Sequence, residues 1–184
     1  DAVLDDLENY LSAVSIDIGT TIGGILNPFE SRTDALASAY DRDLFANKTL
    51  DDLKNGPRIY LNATNLATGN LFFFVAGAKG KSEMGEHELG QVLAPNFNIA
   101  KAVAASSAFP PVYPPMKISK KQYDVPGVNY VALTDGGVYD NLGVNPLLRS
   151  ERNKLDYAIT SDAGKPFELD ETPTGSSVAV LRES

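Results

Sequence analysis

Asp135 stands in the run Thr134-Asp135-Gly136-Gly137-Val138-Tyr139-Asp140-Asn141, just after the apolar stretch Val128 to Leu133. A carboxylate one residue beyond a buried strand is aimed by a rigid support and can accept a proton, and glycines after it allow a sharp turn with positive φ. A plainer reading stands beside this one: Asp-Gly is a common turn pair, and the carboxylate then makes only a loop hydrogen bond. Partners for a triad are scarce. His87 is the single histidine and sits among Glu83, Glu86 and Glu88, which assigns it to the solvated surface and disfavours a Ser-His-Asp arrangement. Ser106 and Ser107 fall in a helix ahead of Pro110 and Pro111, where packing or capping is the ordinary role. Asp140 and Asp162 add carboxylates, but no loop has the alternating oxygen pattern of a calcium site, so neither a metal nor a cofactor is expected. The absence of cysteine excludes thiol nucleophiles, disulfides and thiolate metal sites.

The elements that must position Asp135 are legible as a mixture of helices and strands. Val3, Leu4, Leu7, Tyr10 and Leu11 form one helical stripe, and Thr33 or Asp34 can cap a second helix carrying Leu36, Tyr40 and Leu44. Thr49 with Asp52 predicts a short helical turn that stops at Asn55-Gly56-Pro57. Strands are predicted over 58–64 and 71–76, joined by the turn Ala67-Thr68-Gly69-Asn70. Residues 78–98 are polar and glycine-containing and predict a surface loop. Asn98 caps a helix through Ile99, Val103 and Ser107, and the prolines between 110 and 115 hold the next segment extended. The strand over 128–133 is apolar enough to be buried on both faces, a helix starts at Asn145-Pro146, and Leu155 to Thr160 is a last short strand. Alternating helices and strands argue an α/β domain with a largely parallel sheet.

Composition narrows the partners. With 184 residues and 43% apolar content the chain can bury one sizeable core, and a formal charge of −8 without a basic block leaves nothing to bind nucleic acid. No stretch approaches the roughly 18 consecutive apolar residues of a membrane-spanning helix, which leaves a soluble or peripheral protein of unknown compartment. Lys117, Lys120 and Lys121, interleaved with Met116 and Ile118, are read first as a solvated loop and second as a peripheral membrane contact.

Several segments together resemble the patatin-like phospholipase family. They are Leu61-Asn62-Ala63-Thr64-Asn65-Leu66-Ala67-Thr68-Gly69, then Ala104-Ala105-Ser106-Ser107-Ala108-Phe109-Pro110-Pro111, then Asp135-Gly136-Gly137 with Asp140-Asn141-Leu142-Gly143, then Ser161-Asp162-Ala163-Gly164-Lys165-Pro166-Phe167. With Ala39-Tyr40-Asp41 and Leu44-Phe45 they cover most of the chain in the family's order. The resemblance implies a three-layer α/β/α fold with a mostly parallel sheet, present here incompletely, so that residues 1–184 are the C-terminal part of one catalytic domain. It implies a lipid or phospholipid substrate and a Ser–Asp dyad, with Asp135 as the base. Gly136, Gly137, Phe109 and Tyr113 are then expected to shape the pocket or hold the loop. Such a dyad needs the carboxylate within about 3 Å of the serine hydroxyl and backbone donors for the oxyanion.

The family's Gly-rich oxyanion loop and Gly-x-Ser-x-Gly elbow do not occur in these residues, so the serine is expected upstream and this chain alone is expected to be inactive. Gly19-Thr20-Thr21-Ile22-Gly23-Gly24 imitates the elbow's spacing. The preceding eighteen residues leave no room for the loop, helix and strand that must come first, and Thr21 adds a methyl group to a crowded turn. The alternative is a non-catalytic, patatin-like lipid-binding or regulatory module that keeps apolar walls at Phe72, Phe73, Phe74, Phe109, Val112 and Tyr113.

Overall fold

A computed structural model describes residues 31–148 and 155–162. The predicted helix over residues 3–11, the Gly19–Gly24 run and most of the Ser161–Phe167 segment lie outside the described residues. Contacts divide the chain into two compact units, Asp1–Gly143 and Val144–Ser184.

In the first unit, helix α1 spans Arg32–Tyr40. Its cap is Ser31, not Thr33 or Asp34: the Ser31 hydroxyl accepts from the Asp34 amide at 3.1 Å, and the Asp34 carboxylate accepts from the Ser31 amide and hydroxyl. Thr33 is buried instead, and its hydroxyl donates to the Pro114 carbonyl. The helix widens into a π-turn over Asp41–Phe45, closed by the Ala46 amide on the Asp41 carbonyl at 2.6 Å. The added residue breaks the spacing of four, so Leu44 is exposed while Leu36 and Ala37 are buried. The predicted turn at Thr49 is a 3-10 helix over Leu50–Leu53, where the Thr49 amide and hydroxyl hold the Asp52 carboxyl below its ordinary range.

Six strands follow: β1 Ile59–Asn65, β2 Leu71–Ala76, β3 Glu83–Glu86, β4 Gly90–Leu93, β5 Met116–Ser119 and β6 Tyr130–Asp135. They form one sheet in the order β4-β3-β2-β1-β6-β5. Every pairing is antiparallel, which corrects the largely parallel sheet expected from the sequence. The connections explain it. The first four strands are joined by turns far shorter than the dozen or so residues of a crossover, and helix α2, Ile99–Ser106, is the one helix between consecutive strands.

Residues 83–93, predicted as part of a surface loop, are the β3–β4 hairpin, with His87 exposed at its turn. The segment after α2 is also corrected, because residues 110–113 turn rather than run extended and the Tyr113 amide bonds the Phe109 carbonyl at 3.0 Å.

The core lies on one face of the sheet under α1 and α2. Period-2 alternation sends Phe72 and Phe74 into it, where Phe72 meets Tyr123 edge-on at 5.2 Å and Phe74 stacks on Phe97 at 5.1 Å. These two phenylalanines are therefore core packing, not pocket walls. The fully buried Ala102, Ala104 and Ala105 let α2 sit close to the sheet. Met116 and Ile118 are buried as well, so they are not a membrane-facing companion to Lys117, which lies over the Tyr130 ring at 4.1 Å.

Tyr123 follows β5, one edge of the sheet, and donates its hydroxyl to Gly90 of β4, the other edge, at 2.6 Å. The sheet is thereby curled. Burial, and then the neighbouring Glu86 charge, push the Tyr123 hydroxyl up to about 12.

In the second unit, the predicted helix start at Asn145-Pro146 is a turn in which the Leu147 and Leu148 amides bond the Val144 carbonyl. Residues 155–160 form no strand, a further correction: Leu155, Tyr157 and Ile159 alternate but are exposed, and an extended segment becomes a strand only when a neighbour completes its ladder. No helix among the described residues is long and apolar enough to cross a membrane.

Candidate active site

Asp135 is the last residue of β6, one position nearer the sheet than its sequence implied. Its Cα pairs with Ala63 of β1, and the Thr64 hydroxyl donates to its carbonyl at 2.8 Å. On the other side, β5 ends its pairing at Leu133 and the chain leaving α2 takes over. The Asp135 amide donates to Ala108 at 3.2 Å, the Gly136 amide donates to Ser106 at 3.2 Å, and the Thr134 hydroxyl donates to Ala108 at 2.8 Å. The strand end is clamped on both edges. That is how the Leu61–Gly69 and Ala104–Pro111 segments act on Asp135: they hold its backbone.

The glycines serve space rather than unusual torsions. Gly136 has φ −64°, and neither it nor Gly137 is among the positive-φ residues, which corrects the turn predicted there. A Cβ on Gly136 would come within 2.4 Å of the Asn62 carbonyl oxygen. One on Gly137 would come within 2.9 Å of Asp135 Oδ1 and 2.8 Å of Asn141 Oδ1. With no Cβ there, the Gly137 amide reaches Asp135 Oδ1 at 2.7 Å and opens helix α3, Gly137–Asp140. Among the described residues, Asp135 Oδ2 accepts no hydrogen bond.

Asp135, Gly136 and Gly137 border an open cleft of about 290 Å³. Phe109 and Tyr113, the other two residues predicted to shape a pocket, do not line it; Tyr113 packs against the core and Phe109 is 44% exposed. The cleft instead brings in Ser106, which the sequence reading had assigned to packing or capping, and Asn62, Asn141 and Leu142, none of which stood out as a site residue. Each lay within the segments that carry the family resemblance, and for the last three that was the only signal. The adjacent serines divide their roles: Ser107 donates to the Val103 carbonyl at 2.8 Å as a helix-end bond, while Ser106 faces the cleft.

The Leu61–Gly69 segment has a second structural role. Asn65 and Thr68 both donate at 3.0 Å to Oε2 of the fully buried Glu86, and Asn65 Oδ1 takes the Ala67 amide at 3.1 Å. These bonds fix the β1–β2 turn against β3.

The family model of patatin-like phospholipases matches residues 23–148. The chain belongs to the patatin-like phospholipase family. Comparison with curated proteins and with solved structures returns no match. The matched span contains the whole sheet, α2 and the Asp135 cleft, while Thr21 lies before it and Ser161–Phe167 after it. Membership in the patatin-like family supports a lipid hydrolase, with a lipid as substrate.

Proposed function

We propose that the protein hydrolyses acyl esters of lipids with a Ser–Asp dyad in which Asp135 is the base. The observation that carries this reading is the state of the Asp135 carboxylate. One oxygen is held by the Gly137 amide at 2.7 Å, and the other is left toward an open cleft at the end of a strand clamped on both edges. A hydrogen bond from a fixed amide locks the rotamer, and a carboxylate base needs that fixed direction.

In this mechanism the serine hydroxyl, on a segment upstream of those described, donates to Asp135. As the serine oxygen attacks the ester carbonyl, its proton passes to the carboxylate; collapse of the tetrahedral intermediate returns that proton to the leaving alcohol. Water then repeats the sequence on the acyl-serine. Aspartate is a weak base near neutral pH, so positioning and oxyanion donors must supply much of the rate.

Replacing Asp135 by Asn in the protein that carries the serine, and measuring ester hydrolysis, tests the assignment. The expected loss in kcat is about 10²–10⁴-fold. Unchanged turnover would remove Asp135 from the mechanism and leave it as a turn-closing residue, whereas no turnover by the unsubstituted protein would favour the non-catalytic module.

A further inference from the structure

Two buried threonines are register partners at the end of the sheet, Thr64 of β1 and Thr134 of β6. Strand packing alone calls for no hydroxyl at either position, because valine has nearly the same shape and is equally at home in strands. Each hydroxyl makes one bond, and both bonds go to backbone beside Asp135. The Thr64 hydroxyl donates to the Asp135 carbonyl and the Thr134 hydroxyl to the Ala108 carbonyl, each at 2.8 Å.

The backbone by itself holds this strand end with few bonds. β6 pairs with β1 only at Leu133, Thr134 and Asp135, so Asp135 is the last rung of a short ladder. On the other edge the Asp135 amide bond to Ala108 and the Gly136 amide bond to Ser106 are both 3.2 Å, at the long end for an amide donor. The two hydroxyl bonds are shorter and act on the peptide groups that flank Asp135. One is made to its own carbonyl, and the other to the carbonyl that its amide also meets. Ala108 thus takes two donors and joins the chain leaving α2 to β6.

We infer that Thr64 and Thr134 are positioning residues for the proposed base, their hydroxyls fixing the peptide groups on either side of Asp135 and so the direction of its carboxylate. The inference rests on the Ser–Asp reading. A side chain leaves its Cα in a direction set by the backbone, and the Gly137 amide then locks one oxygen. Productive geometry tolerates about 0.5 Å, and a misplacement of about 1 Å can cost roughly 10²-fold. Neither threonine lines the cleft, so the effect passes through Asp135 and leaves the surface that meets substrate in place. Loss of a hydroxyl should therefore lower kcat and spare KM.

Full-length protein is assayed on para-nitrophenyl dodecanoate well below its unfolding temperature, with urea unfolding of each variant alongside. Thr64→Val and Thr134→Val are each expected to lower kcat by about 10- to 100-fold with KM within about threefold. Thr134→Ser keeps the hydroxyl and gives up the methyl group, so its kcat should stay within about threefold of the unsubstituted protein even where its unfolding midpoint falls. Phe74→Leu is the control for stability alone: it disturbs the core under the helices, and it should lower the midpoint while kcat stays within about twofold.

Full kcat in both valine variants, or a loss confined to KM, would overturn the inference. So would a loss of about tenfold or more in Thr134→Ser, a result that stands even if the valine variants do not fold. Asp135→Asn, assayed in parallel, separates this inference from the reading beneath it. An inactive Asp135→Asn beside fully active valine variants strikes only the role of the threonines, whereas full turnover in Asp135→Asn removes the base itself.

Discussion

At the scale of single residues, the two glycines after Asp135 make separable demands. A methyl group on Gly136 would meet backbone, the Asn62 carbonyl at 2.4 Å, and the paired strands cannot retreat without breaking the clamp. Gly136→Ala is expected to cost about 1–3 kcal/mol, read as a lower midpoint in urea unfolding. A methyl group on Gly137 would meet side-chain oxygens, including Asp135 Oδ1 at 2.9 Å, which can move aside. Gly137→Ala should therefore leave the unfolding midpoint nearly unchanged and reduce ester hydrolysis, because the displaced oxygen belongs to the proposed base. If Gly137→Ala keeps full kcat, the amide contact on Oδ1 does not position the carboxylate. The Asp-Gly-Gly run was plain in the sequence, but its physical reason was not: the pattern pointed to positive φ, and the structure shows a helical torsion in a space too narrow for Cβ.

At the scale of elements, the β3–β4 hairpin depends on polar contacts that no local pattern reveals. Glu86 is buried with Asn65 and Thr68 as donors, so Glu86→Ala leaves those donors without an acceptor and is expected to lose about 2–4 kcal/mol in chemical denaturation. A loss below about 0.5 kcal/mol would mean that water replaces the carboxylate freely. Tyr123 gives the hairpin a pH dependence. Its hydroxyl ordinarily ionises near 10 and is pushed up to about 12 in the fold. Below pH 10 both folded and unfolded chains hold the proton and no stability is lost. From about 10 to 12 the unfolded chain releases it while the folded one resists, so stability falls as pH rises through this window. Melting curves from pH 9 to 11.5 should show that decline, and Tyr123→Phe should flatten it; an identical slope in both proteins would assign the decline to other groups.

Local signals located several elements well. Strand β2 spans the predicted 71–76, Asn98 caps α2 through the Lys101 amide at 3.0 Å, and Thr49 pairs with Asp52 as its spacing indicated. The two caps depend on residues three positions apart, and β2 on one unbroken apolar run. The hairpin 83–93 escaped because its strands are four residues long, rich in Gly and Glu, and complete their ladders only against β2 and each other. Residues 155–160 failed in the opposite sense: an alternating apolar pattern is there, but no ladder forms.

At the scale of the whole molecule, the proposed dyad is divided, with the base on this chain and the nucleophile expected elsewhere. The 184-residue chain is therefore expected to take up no serine-directed phosphonate, as read by intact mass. Stoichiometric labelling, mapped to Ser106 in the cleft or to Thr21, would show that the nucleophile is already present and would overturn that division.

The sequence by itself determined the family, the Asp135-Gly136-Gly137 run at a strand end and three of the six strands, because these are set by residue types at short spacing. It did not determine strand direction, since alternating helices and strands are compatible with parallel or antiparallel pairing until the lengths of the connections are known. Only the tertiary structure decided that β6 lies antiparallel between β1 and β5. Only there do Asn62 and Ser106, distant in the chain, meet Asp135, because a cleft is made by surfaces that folding brings together and no single segment contains it.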